Sequence, residues 1–170
     1  ADISVTVMQI VALSSAKEAG MHVPSRVIER AVRYVKRLQA KPGGGFGYTS
    51  PGDPGFPRSA AGVMSLLMSG ERDSKEVQMG LEYLRRFPAS KFTTGEYYFY
   101  AHYYAVQAMY QAGEVQYQEW YPKIRDAMLA RQRKDGSWSG GGEEGDPTYA
   151  TAMAILTLGV PYRYLPIYQR

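Results

Sequence analysis

The chain has 170 residues, 45% of them hydrophobic and 21% charged, which suits a globular protein with a buried core and one domain rather than two. It has no cysteine, which excludes a disulfide framework, a thiolate nucleophile and any cysteine-ligated zinc. The net charge of +4, with a pI near 9.2, comes from Lys and Arg interleaved with Glu and Asp along helices, the pattern of solvated helix faces rather than of a nucleic-acid surface.

Ile3 to Ala19 carries no charge before Lys17 and is apolar on every side of a helical projection, so a buried helix is predicted. After Met21-His22-Val23-Pro24 comes an amphipathic helix. Its stripe is Val27, Ile28, Ala31, Tyr34, Val35 and Leu38, and Arg and Lys residues occupy the opposite face. Pro42 and Gly43 to Gly45 end it. The alternation recurs: Ser59 to Met68 is free of charge, and Ser74 to Phe87 is amphipathic through Val77, Leu81 and Leu84. Tyr97 to Ala112 is again uncharged, and Trp120 to Arg133 sets Ile124, Met128 and Leu129 against a charged face. A fourth uncharged helix is predicted after Asp146-Pro147, with Asp as N-cap and Pro in the first turn, where its missing N–H costs nothing.

The expected fold class is therefore all-α, with helical hairpins repeating every 40 to 55 residues or so and pairing an inner apolar helix with an outer charged one. Inner helices apolar all round need cover on two sides. Closure of the inner layer into a ring meets that need most simply, and about three and a half hairpins would leave such a ring incomplete. Residues 1–170 are thus expected to form one repeat domain and to be an excerpt of a longer protein; the start on Ala1-Asp2, without Met, agrees with that expectation and leaves localisation open. No apolar run approaches the roughly 18 to 20 residues of a membrane span.

Gln132-x-x-Asp135-Gly136-Ser137-Trp138 follows the third outer helix, and Gly44-Gly45-Phe46-Gly47-Tyr48 follows Gln39 at the equivalent place in the first hairpin. These stretches resemble the Gln/Trp repeats of squalene and oxidosqualene cyclases and the Gly-Gly-Phe repeats of protein prenyltransferase β subunits. The resemblance implies an α/α toroid with inner helices around a central cavity, and it implies a structural role for Gln39, Gly45, Phe46, Gln132, Gly136 and Trp138. A glutamine at a helix C-terminus can bond to orphan carbonyls or to the next repeat, and glycine permits a sharp left-handed turn.

The catalytic signatures of that superfamily are not found. Cyclases that act by protonation carry an Asp-x-Asp-Asp cluster, whereas Asp2 stands alone here, followed by Ile3, Ser4 and Val5, and reads as a helix cap. Prenyltransferases hold zinc through Asp, Cys and His, and this chain offers only His22, expected to be exposed in a turn, and His102. No metal and no cofactor is called for. Glu143, Glu144, Asp146 and Asp53 in the glycine-rich loops match no calcium-loop spacing, and both loops read as mobile connectors.

The aromatic run Tyr97 to Tyr104 supplies the candidate ligand wall. Tyr97, Tyr100 and Tyr104 are expected on one helical face and Phe99, Tyr103 and Tyr110 on another, with His102 among them as a core or a site histidine. Aromatic faces attract cations and pack against apolar ligands, while phenol hydroxyls suit sugars and peptides; core packing explains the same residues. The expected partners are a hydrophobic or isoprenoid-like small molecule and, through uncovered inner helices, a second copy or further hairpins. The alternative is a non-catalytic scaffold or binding module for protein or glycan.

Overall fold

The computed structural model describes residues 1–87 and 97–163, and the described residues are helical with no strand. Seven α-helices follow in order: α1 (Ile3–Glu18), α2 (Ser25–Arg37), α3 (Phe56–Met68), α4 (Lys75–Arg85), α5 (Tyr98–Ala112), α6 (Glu114–Leu129) and α7 (Pro147–Gly159). The chain divides into two compact units, Ala1–Arg86 and Phe87–Arg170.

In the first unit α3 is the central element, packing against α1, α2 and α4. Its nine residues Ser59 to Leu67 are all buried, which a charge-free sequence permits and a one-sided amphipathic helix could not achieve. Burial of Val63, Met64 and Leu66 contributes roughly 1.5 to 3 kcal/mol each. Ser65, also fully buried, donates its hydroxyl hydrogen to the Gly62 carbonyl of its own helix, so no polar group is stranded (2.9 Å).

α1 departs from the expectation of all-round burial. Asp2 caps it, its carboxylate accepting the Val5 N–H at 3.0 Å. Ile3, Val7, Ile10 and Ser14 are buried, but Val5 is 55% and Met8 59% exposed, because α2 and α3 cover only one side. α2 likewise buries Val32, Val35 and Leu38, while Val27, placed in its stripe by the periodicity, is exposed. α4 begins at its Ser74 cap and turns Val77, Leu81 and Leu84 inward as expected.

In the second unit α5 packs on α6 and α7. α6 starts at Glu114, directly after Gly113 and six residues earlier than the sequence pattern placed it, with Pro122 inside the helix. A proline there removes one helical hydrogen bond, a cost of about 3 kcal/mol in an isolated helix. Packing outweighs it: Tyr117 enters a core with Val106, Tyr110 and Val160, Tyr121 packs against that core, and the Tyr121 hydroxyl donates to the Leu158 carbonyl at 3.0 Å. The buried stripe is thus Tyr117, Trp120, Ile124 and Met128, and Leu129 is exposed. Asp146 caps α7 by accepting the Thr148 N–H at 2.7 Å, with Pro147 at the first position as expected, and a 3₁₀ turn (Val160–Tyr162) follows.

Close approach of α4 to α3 depends on Gly80, where an added Cβ would collide with a Val63 methyl and lie 3.2 Å from the Phe46 ring. Gly80→Ala is therefore expected to lower the urea unfolding midpoint, by about 1 to 3 kcal/mol in stability, despite the better helix propensity of alanine. An unchanged or raised midpoint would contradict this packing.

Candidate functional site

The repeat motif is the best-defined constellation in the chain. Gln39 is buried at the end of α2, and its side-chain amide donates to the Gly44 carbonyl (2.9 Å) and to the Glu76 carbonyl in the first turn of α4 (2.7 Å). Gln132 stands in the corresponding place after α6 and donates to the Gly136 carbonyl at 2.9 Å. Gly44 and Gly136 turn the chain with φ of +83° and +84°, a conformation that costs other residues roughly 1 to 2 kcal/mol. The rings that follow are buried, Phe46 fully and Trp138 nearly so, and the Trp138 indole N–H donates to the Met128 carbonyl at 2.8 Å.

A second half of the motif escaped the sequence reading. The Phe46 backbone N–H donates to the Ser59 hydroxyl at 2.8 Å, and the Trp138 backbone N–H donates to the Thr151 hydroxyl at 3.0 Å. In each case the hydroxyl lies thirteen residues beyond the ring and belongs to the helix that follows the turn, α3 or α7. One constant offset along the chain relates Gly44 to Gly136, Phe46 to Trp138, Ser59 to Thr151 and Ser65 to Thr157. That recurring offset was the available signal, hidden because the ring and the hydroxyl change type between repeats. Both glycine-rich loops are cross-bonded rather than loose: Ala40 N–H reaches the Gly45 carbonyl, Gly47 N–H the Leu38 carbonyl, and Arg133 N–H the Ser137 carbonyl.

The candidate wall on α5 is only partly assembled as expected. Tyr100 and Tyr104 meet edge to face with centroids 4.8 Å apart, and Tyr103 joins Tyr104 at 5.0 Å instead of lying on another face. Tyr97 does not share that face, because it is the residue before the helix, with φ of +59°, and is 42% exposed. His102 is buried on a different side, its ring 4.7 Å from Tyr98, whose other neighbours include the Arg131 guanidinium 4.3 Å above the ring. His22 is exposed, as the turn implied.

Tyr149, in the first turn of α7, joins the cluster electrostatically. Burial raises the Tyr104 phenol far above its ordinary range, reinforced by Tyr100, Tyr103 and Tyr149. Burial, then the Glu144 carboxylate, then Tyr100 push Tyr149 up to about 12. Burial likewise raises Tyr103, and it raises Tyr98 against the opposing pull of Arg131.

Glu144 is 3% exposed, and its two carboxylate oxygens accept the backbone N–H groups of Phe99 (2.9 Å) and Tyr100 (2.8 Å). It caps α5 from a distant loop, replacing the side-chain cap that Tyr97 cannot supply. Such charge-assisted bonds are worth about 1.5 to 3 kcal/mol each. Of the other loop acids, Asp146 caps α7 and Asp53 pairs with Arg58, and no group of three or more metal-ligating side chains occurs among the described residues. No protein-family model, curated protein or solved structure matches this chain.

The raised phenols predict a pH dependence. An unfolded tyrosine ionises near 10, so the native state holds these protons more tightly than the unfolded chain does. The stabilisation is complete below about pH 10 and is lost as pH rises toward 12 and beyond. Absorbance titration of tyrosinate should show an upper limb, and Tyr149→Phe should remove a step near 12. A Tyr149→Phe difference curve centred near 10 would contradict the arrangement.

Proposed function

We propose that the chain is a helical-hairpin binding domain of the terpenoid cyclase and prenyltransferase kind, taking a bulky apolar or isoprenoid-like ligand against its tyrosine cluster. The observation that carries this reading is the convergence of Tyr100, Tyr103 and Tyr104 with Tyr149, rings from two packed helices that offer apolar faces and hydroxyl edges together. The acidic side chains at the starts of α1, α5 and α7, namely Asp2, Glu144 and Asp146, are engaged as caps, which favours binding over acid catalysis by these residues.

Titration of the protein with a farnesol-type alcohol, read by tyrosine fluorescence, should saturate, and Tyr149→Ala should weaken it by about tenfold, or 1.4 kcal/mol. Tyr149 is the choice because it is the exposed ring of the cluster, so its loss leaves the core intact. Saturation by an oligosaccharide and not by the isoprenoid would move the reading to a glycan-binding module.

The scaffold alternative draws on a separate observation, the uncovered Val5 and Met8 face of α1. Self-association through that face is expected, giving a light-scattering mass above the 19.0 kDa of one chain at high concentration and reduced by Met8→Asp. A mass of one chain at every concentration would contradict it.

A further inference from the structure

The net charge of the chain is concentrated on one helix. α2 holds five basic residues, Arg26, Arg30, Arg33, Lys36 and Arg37, and one acid, Glu29, a net of +4 that equals the net charge of all 170 residues. Everything outside α2, fifteen basic and fifteen acidic residues, is balanced. α4 and α6 follow that balance, with Lys75 and Arg85 against Glu76 and Glu82, and Lys123 and Arg125 against Glu114, Glu119 and Asp126.

At 3.6 residues per turn, Arg26, Arg30, Arg33 and Arg37 fall within an arc of about 60°, roughly opposite the buried Val35, and run along about 16 Å of helix axis. All four are exposed. Lys36 lies outside that arc and is neutralised by Glu71 at 2.6 Å and Glu76 at 3.7 Å. On the ridge itself Arg33 approaches Glu29 at 3.9 Å, both side chains well exposed, and among the described residues Arg26, Arg30 and Arg37 enter no ion pair. Helix stability does not account for this pattern. Arg26 sits in the first turn, where the helix dipole disfavours a cation and where α2 has neither an acid nor a side-chain cap. Arg26 with Arg30, and Arg33 with Arg37, are like charges four residues apart, which weakens a helix further.

The amino-terminal end of the ridge is apolar as well as basic. Met21, in the turn before α2, is 64% exposed, and Val27, three residues before Arg30, is 41% exposed. A partner that offers only phosphate groups has no use for these two side chains. A lipid surface uses both kinds: guanidinium forks bind headgroup phosphates and carboxylates, and apolar side chains enter the acyl boundary.

We propose that α2 docks the protein peripherally on an anionic lipid bilayer, with the four arginines on the headgroups and Met21 and Val27 inserted at the tip of the α1–α2 hairpin. The helix lies along the surface, since a ridge charged at every turn cannot enter the hydrocarbon. The contact is separate from the ligand of the tyrosine cluster, and neither inference requires the other.

The test is sedimentation of the full chain with vesicles at about 0.1 M salt. Vesicles of phosphatidylcholine with about 30% phosphatidylserine should carry the protein down, vesicles of phosphatidylcholine alone should not, and about 0.5 M salt should release it by tenfold or more. Arg30→Gln with Arg33→Gln should weaken the partition on the order of 25-fold. Lys123→Gln with Arg125→Gln, an equal loss of charge from exposed positions of α6, should leave it within about twofold of the parent. Met21→Ser with Val27→Ser should weaken it about fivefold at unchanged net charge. All these side chains are exposed, so far-UV circular dichroism should not change. No binding to the anionic vesicles, equal binding to the neutral ones, equal losses from the α2 and α6 arginine and lysine pairs, or indifference to the Met21 and Val27 pair would each overturn the proposal. Tighter binding of a DNA duplex at the same salt, lost with Arg30 and Arg33, would assign the ridge to nucleic acid and overturn it equally.

Discussion

In both units the turn after an amphipathic helix is tied to the helix that follows by one polar contact inside an apolar seam, a ring residue's backbone N–H donating to a hydroxyl of that helix. A buried N–H without a partner costs about 1 to 3 kcal/mol, so this contact decides whether Phe46 or Trp138 can be buried at all. Once the ring is seated, the glutamine amide and the left-handed glycine close the turn around it. Phe46 also forms the surface on which Gly62 and Gly80 approach, so the distance between α3 and α4 follows from the same contact.

The second unit adds a constraint that the first lacks. α5 begins after a tyrosine in left-handed conformation and has no cap of its own, and Glu144 supplies one from the loop before α7. The bonds place a negative charge beside Tyr149, so the anchor that fixes the start of α5 also shifts the titration of the cluster beside it. Structure and candidate chemistry meet at that carboxylate.

Much of the architecture was legible in the chain. The alternation of charge-free and amphipathic segments located all seven helices, because a helix needs only local hydrogen bonds and its burial shows in composition. Asp2 and Asp146 were readable as caps for the same local reason. The motif residues stood out through their resemblance to known repeat motifs. By contrast, Glu144 looked like one of several loop acids, since nothing nearby in sequence reveals that its partners lie at Phe99 and Tyr100. The early start of α6 was likewise hidden, because Pro122 argues against it locally and only the packing of Tyr117 and Tyr121 overrides that argument.

The sequence by itself determined the helical class, the hairpin alternation and the repeat turn, all of which rest on periodicity and on interactions within a few residues. Tertiary structure decided how far each apolar helix is covered. α1, α3 and α7 are alike in having long charge-free stretches, yet α3 is enclosed while α1 and α7 keep an open face. Hydrophobicity states that a surface favours burial; which neighbour reaches it depends on contacts distant along the chain. The grouping of Tyr100, Tyr103 and Tyr104 with Tyr149, and the exclusion of Tyr97 and His102 from it, were settled at that level too.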